Sequence, residues 1–301
     1  MLSSRFVRFF LHINFRNLRQ VLQEVGDRRL FGLSAEMAYN NLLALFPMLL
    51  GILAAIGSLK IPQDRVDFVA RQLLPVAPPE VIFLVQGFIN QTRLPQGRVV
   101  ISISIIIALW IASGAVSAAM NAMDQIYQTP PAVKRSFWQA KVVALILTVV
   151  MLAFTMSASY LVMISDWLLR LGLERYNTSA VVEAFSTLIG SWMRWLVALG
   201  IVTIAFSILY RQGPSRWLPG TPLLPGAMIA AFLWALMSQT FNLYVRHFAN
   251  FNFTYGTLSA GIVLLLWLNW SSLIVLLGAQ MNVTIGKAMS NRSRKSSRQV
   301  G

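Results

Sequence analysis

The sequence predicts an all-α polytopic membrane protein with six transmembrane helices, amphipathic interfacial helices and both termini in the cytoplasm. Three observations predict it. Of 301 residues, 56% are hydrophobic and 12% charged, against about 25% charged in an ordinary soluble chain, and mean hydropathy is +0.64. Six charge-poor windows are each long enough to cross a bilayer, which takes about 20 mostly apolar residues because lipid cannot satisfy exposed backbone groups. The 25 Lys and Arg outnumber the 10 Asp and Glu and fall unevenly about those windows. A soluble globular enzyme is excluded, since no fold of this size keeps so much apolar surface from water. The absence of cysteine removes disulfides, thiolate chemistry and cysteine-ligated metals.

Residues 1–33 read as a basic amphipathic helix. At about 100° per residue, Arg5, Arg8, His12, Arg16, Arg19 and Gln23 share one arc. Val7, Leu11, Phe15, Leu18, Leu22 and Val25 occupy another. Such a helix lies on the inner leaflet with its basic face toward anionic headgroups. It lacks the apolar run and small-residue cleavage site of a removable signal.

Residues 34–286 form the membrane domain, with spans near 37–59, 100–122, 142–165, 189–210, 224–245 and 259–285. Charged residues bound most of them: Glu36 and Lys60, Arg98 and Asp124, Lys141 and Asp166, Arg216 and Arg246. The fourth span carries one charge, Arg194, and the sixth begins in the apolar stretch after Thr257. Trp138, Trp192, Trp195 and Trp217 sit near the ends, where amphipathic rings prefer the interface. The long first connection shows helix-like spacing over 64–74 and 80–90 around Pro75, Pro78 and Pro79, predicting two short helices on the outer face, with a re-entrant segment as the alternative. Residues 166–186 read as a further surface helix. Residues 287–301 form a basic, disordered tail.

The segments on the side of both termini carry about twice as many Lys and Arg as the opposite connections, which places both termini in the cytoplasm and the chain in the inner (plasma) membrane. In the tail, Arg292, Arg294, Lys295 and Arg298 lie among serines, held near anionic lipid at about 1 kcal/mol per basic residue. Membrane lipids of the anionic inner leaflet are therefore the expected partners, with Arg5, Arg8, Arg16 and Arg19 as further contacts. No nucleic acid is expected, because the tail lacks aromatic interleaving and no RNA-binding motif appears. A homo-oligomer is left open.

Function in such a chain should show as polar groups where lipid forbids them. The candidate polar path is Asn40 and Asn41 in span 1, Ser117 and Asn121 in span 2, Gln239 and Asn242 in span 5, and Asn269 and Gln280 in span 6. The bland alternative is that these groups bond neighbouring helices, worth about 0.6 kcal/mol each. Arg194 is either a snorkelling anchor or a headgroup contact. Pro47 frees the carbonyl of Leu43, so a kink is expected beside Asn40 and Asn41. No carboxylate lies mid-span, which leaves a proton relay without a carrier. Catalysis lacks its parts: the two histidines, His12 and His247, are far apart in sequence, and no H-E-x-x-H, G-x-S-x-G or Walker A motif occurs. No enzyme activity, cofactor or metal is expected.

Several segments resemble the YihY/BrkB family of six-span inner-membrane proteins, once labelled ribonuclease BN. They are Ala38-Tyr39 through Leu45-Phe46-Pro47, Trp110-Ile111-Ala112-Ser113, Tyr210-Arg211 with Pro214, and Pro225-Gly226-Ala227. Tyr255-Gly256-Thr257-Leu258, Leu265-Leu266-Trp267-Leu268 and Gly278-Ala279-Gln280-Met281-Asn282 complete the set, in the family's order and spacing. The resemblance implies an integral membrane protein without a settled biochemical activity and points toward envelope lipids. Where the family usually has Glu, this chain has Gln280, so a role needing a titrating carboxylate there is lost while a hydrogen-bonding role survives. The function expected is transport or exposure of a lipid-like or amphipathic substrate. The alternative is a non-catalytic membrane scaffold that anchors envelope partners.

Overall fold

The computed structural model describes residues 9–10, 14–58, 98–176, 180–216, 221–248 and 257–298, with backbone alone near several helix ends. Helix α1 spans Phe15–Asp27, α2 Leu30–Ser58, α3 Arg98–Ile126 and α4 Phe137–Tyr176. Helix α5 spans Ala180–Gln212, α6 Leu224–Phe248 and α7 Thr257–Arg298. No strand occurs among the described residues. The six long helices fall on the six predicted windows. Five of them, α3 to α7, are long and apolar enough within the described residues to cross a membrane.

Three expectations change. The basic helix does not run unbroken through residues 1–33: Asn14, in an extended conformation, caps α1 by accepting from Phe15 N at 3.2 Å, as short polar side chains do at helix starts. The segment 166–186 is not a separate surface helix, because α4 continues to Tyr176 and α5 begins at Ala180. The tail does not leave helical form at Lys287 either, since α7 runs on to Arg298. The helices expected over 64–74 and 80–90 lie outside the described residues.

Helices α1 and α3 end without glycine. Arg29 and Gln128 take the left-handed conformation, with φ of 55° and 53°, a position that usually selects Gly. After α3, Gln128 N donates to Gln125 O and Thr129 N to Asp124 O, the double bond of a Schellman cap. Helix α2 passes through Pro47 without ending.

From α2 to α7 each helix packs on the next, and α7 returns to α2, so the long helices close a ring. Helix α1 lies against α7 and α2, and α7 also reaches α3. The core comes from corresponding ends: Leu30, Leu33 and Met37 of α2, Ala118 to Ile126 of α3, Ala144 and Leu147 of α4, Leu209 and Tyr210 of α5, Ala227 and Ala230 of α6, and Leu273 to Val283 of α7. Burial is graded along α7. Almost every residue from Ser272 to Ile285 is buried, whereas from Gly261 to Ser271 only Leu264 is. Large apolar side chains such as Ile106, Met156, Leu196 and Phe232 stay more than half exposed, the outward apolar surface expected of helices solvated by lipid.

Candidate functional site

The polar groups gather at the packed end of the ring. Gln280 on α7 is wholly buried. Its amide Nε2 donates to Glu24 Oε2 of α1 and, at 2.9 Å, to Thr284 Oγ1 one turn along. Thr284 passes the chain on by donating to the same Glu24 oxygen at 3.2 Å. Arg28 offsets the charge, pairing with Glu24 at 3.0 Å. Its guanidinium also donates to the carbonyls of Gln125 and Ile126 in the last turn of α3, where helix-end carbonyls lack a full set of intrahelical partners. One half-buried carboxylate and its arginine thus tie α1, α3 and α7 together.

Two clusters flank this one. Asn282 Oδ1 accepts from Gly226 N and its Nδ2 donates to Leu223 O, each at 2.9 Å, so one carboxamide caps the start of α6. The backbones meet closely there: a Cβ on Gly226 would lie 2.5 Å from Gly278 O, and one on Gly278 would lie 2.5 Å from Tyr210 Oη. Tyr210, fully buried, donates to Val275 O at 2.7 Å. On the other side, Asp124 accepts from Thr129 Oγ1 at 3.0 Å and from Ser215 N and Oγ at 2.6 and 2.7 Å. Arg135 holds the same turn by donating to Gly213 O at 2.9 Å.

A second polar zone lies where α2 passes α7. Ser34 Oγ donates to Asn269 Oδ1 at 2.8 Å, and Asn41 Nδ2 lies 3.5 Å from Ser272 Oγ. Across the α6–α7 face, Trp234 donates to Ser271 at 3.2 Å and Trp267 to Ser238 at 3.3 Å, with ring centroids 6.4 Å apart.

The structure therefore divides the candidate path. Asn41 and Asn269 share the α2–α7 seam, and Asn40 on the same helix donates to Glu36 O one turn back. Gln280 belongs to the buried hub. Ser117 donates to Ser113 O within α3, while Asn121 is exposed on the same helix. Gln239 is exposed and Asn242 half-buried on α6. Arg16 and Arg19 are exposed on α1. The backbone of Arg194 lies in α5, and that of Arg292, Arg294, Lys295 and Arg298 in α7; their side chains, and all of Arg5 and Arg8, lie outside the described residues. Among the described residues no three His, Asp or Glu come close enough to hold a metal ion.

Sequence reasoning assigned no site role to Glu24, Arg28, Ser215 or Asn282, which anchor the hub and its two flanking clusters. The available signal was the i,i+4 spacing of Glu24 and Arg28, a pairing distance on a helix, in a chain with few acids. Asp124 was visible as a span-end carboxylate, yet its partners are Thr129 and Ser215 rather than a cation.

Comparison with known proteins bears on the whole chain. The family described as virulence factor BrkB matches residues 21–300. The chain is 32% identical over 256 residues to the ribonuclease-like protein YfkH of Bacillus subtilis strain 168, covering 84% of this chain and 89% of that protein. It is 26% identical over 265 residues to a UPF0761 membrane protein of Xanthomonas oryzae pv. oryzae strain PXO99A, covering 85% of this chain and 57% of that longer protein. The same identity and coverage relate it to a UPF0761 membrane protein of Xanthomonas axonopodis pv. citri strain 306. No solved structure matches. The segments that meet at the packed end, around Gly226, Gly278, Gln280 and Asn282, are those in which the sequence resemblance was strongest together with the start of α6. This chain belongs to the BrkB family of membrane proteins.

Proposed function

We propose that the chain is a non-enzymatic, six-crossing protein of the inner (plasma) membrane, both termini cytoplasmic, that admits a lipid-like or amphipathic substrate to the looser half of its ring. The observation that carries this reading is the burial gradient along α7. Packing is nearly complete up to Ser272 and falls away beyond it, where Asn41 and Asn269 offer carboxamides at the boundary between the two regimes. The substrate's polar part would exchange with the bonds that Asn269 makes to Ser34 and Asn41 to Ser272. The looser half would accept its apolar part.

The crossing number is supported by which segments meet. Arg28 reaches the end of α3, Ser215 after α5 reaches Asp124, Asn282 reaches the start of α6, and Lys287 Nζ reaches Gln128 Oε1 at 3.3 Å. These are the same four regions whose Lys and Arg mark the cytoplasmic side by the positive-inside rule. The reading uses no cofactor and assigns no catalytic residue; the name of the Bacillus relative points instead to ribonuclease chemistry. A second reading, a scaffold anchoring envelope partners, is favoured by the carboxamides already bonded in pairs at the α2–α7 seam.

Reconstitution in vesicles bearing a fluorescent lipid tests the choice. Accelerated transbilayer movement, lost in Asn41→Leu and Asn269→Leu with folding intact, supports passage of substrate. No acceleration by folded wild type supports the scaffold.

A further inference from the structure

The single apolar arc expected of the N-terminal helix is divided in the structure. Val21 and Val25 of α1 are buried, and the helix lies against α7 and α2. Glu24 and Arg28 point the same way, into the hub. At about 100° per residue these four share one side of α1. Phe15, Leu18 and Leu22 form a stripe beside it and stay 82%, 44% and 64% exposed. The remaining side carries Arg16, Arg19 and Gln23, all exposed. Helix α1 therefore has three faces, one bound to the protein, one apolar and one basic, and the apolar face is left largely open. Its 13 residues reach about 20 Å, too short to cross about 30 Å of hydrocarbon.

We propose that α1 lies lengthwise in the headgroup layer of an anionic leaflet, with Phe15, Leu18 and Leu22 among acyl chains and Arg16 and Arg19 on lipid phosphates. Apolar exposure and charge select this occupant together. An apolar stripe beside a basic side is the pattern of a helix that rests in a bilayer surface. Neither Arg16 nor Arg19 has an ion-pair partner among the described residues. Glu24 is taken by Arg28, Gln20, Gln280 and Thr284. Asp27 closes α1, about two turns beyond Arg19. The apolar exposure continues onto the ring, since α2 begins at Leu30 and leaves Phe31 62% exposed. Because Val21, Glu24 and Val25 fix the roll of α1, the hub sets which side of the helix meets lipid. This contact needs only a chain held in a bilayer, and it stands whether or not a substrate passes the α2–α7 seam.

The full chain has no cysteine of its own, so a single Leu18→Cys or Gln23→Cys can carry an environment-sensitive fluorophore. The labelled protein is placed in nanodiscs of phosphatidylcholine with phosphatidylglycerol. Lipids bearing an acyl-chain nitroxide quench from within the bilayer, and iodide quenches from water. The label at position 18 should be quenched by nitroxide lipid and shielded from iodide, and the label at position 23 should show the reverse. Leu22→Cys should repeat the Leu18→Cys result. At equal mole fraction, nitroxide phosphatidylglycerol should quench the label at position 18 about fivefold more efficiently than nitroxide phosphatidylcholine. That is the enrichment that about 1 kcal/mol per basic residue at an anionic surface gives. Arg16→Gln with Arg19→Gln should make the two lipids equivalent while the label stays in the bilayer. Elution volume and thermal midpoint establish that each variant is folded. The proposal is overturned if iodide reaches position 18 as readily as position 23, or if neither quencher reaches it because a protein surface covers the stripe. It is equally overturned if both nitroxide lipids act alike with Arg16 and Arg19 intact, or if the double variant keeps the preference.

Discussion

Gln280 of α7 donates its amide to the carboxylate of Glu24 on α1, joining positions 256 residues apart at a wholly buried side chain. An amide is what this partner requires. Glu24 already has Arg28 for charge, and a donor without charge completes its bonding. Gln280→Glu should therefore destabilise the protein, by about 1–3 kcal/mol, through loss of a donor to a buried group and a facing carboxylate. Adding Glu24→Gln restores an amide–carboxylate pair in reversed order, so the double variant should melt above the Gln280→Glu single. Thermal midpoints in one detergent decide it, and a double variant no better than the single would show that the pair does not set the docking of α1.

At Gly226 and Gly278 the backbones of α6 and α7 approach closely. Alanine at either meets backbone or hydroxyl oxygen at 2.5 Å, so each substitution should cost about 1–3 kcal/mol by overpacking. Gly32 and Gly114 have nothing within 4 Å of an added Cβ and lie inside helices. Alanine there should be neutral or stabilising by up to about 1 kcal/mol. Equal effects at all four positions would contradict the packing described.

Asp124 holds the turn after α5 through Ser215. Asp124→Ala leaves the Ser215 N–H and the Thr129 hydroxyl without their acceptor, at a cost of about 1–3 kcal/mol. The loss is local, so limited proteolysis should cut near Gly213–Arg216 faster in the variant. Unchanged cutting would mean that Arg135 alone suffices.

The native chain has no cysteine, which makes topology simple to test. Single cysteines in place of Arg16 and Gln128, both exposed, should react with an impermeant maleimide only after cells are permeabilised. Labelling of either in intact cells would reverse the orientation proposed.

The helices were legible in the sequence because the constraint that selects them is global. Every backbone group crossing lipid needs an internal partner, so long charge-free windows from Glu36 to Lys60 or from Lys141 to Asp166 admit little else. The hub was not legible, because its logic is three-dimensional. Glu24 falls in neither the basic nor the apolar arc of the N-terminal helix, and nothing in a linear pattern brings Gln280 to it. The ends of α1 and α3 were hidden for a different reason: Arg29 and Gln128 take conformations that glycine usually announces. Among path candidates, span position identified Asn41 and Asn269, which do share a seam. Ser117 bonds the backbone of its own helix rather than a neighbouring one. Gln280, also a path candidate, bonds Glu24 and Thr284 in the buried hub, so substituting it disturbs packing as well as any path.

The α2–α7 seam carries the central claim, and closing it covalently tests that claim most directly. In the otherwise cysteine-free chain, Asn41→Cys with Ser272→Cys places two thiols where the side chains now lie 3.5 Å apart. The expected result is lipid movement in reconstituted vesicles, slower than wild type because a weakly hydrogen-bonding thiol replaces the Asn41 carboxamide. That movement stops on oxidation and returns with reductant, while each single cysteine variant is indifferent to both. Movement at the wild-type rate in protein shown to be fully crosslinked would contradict the account.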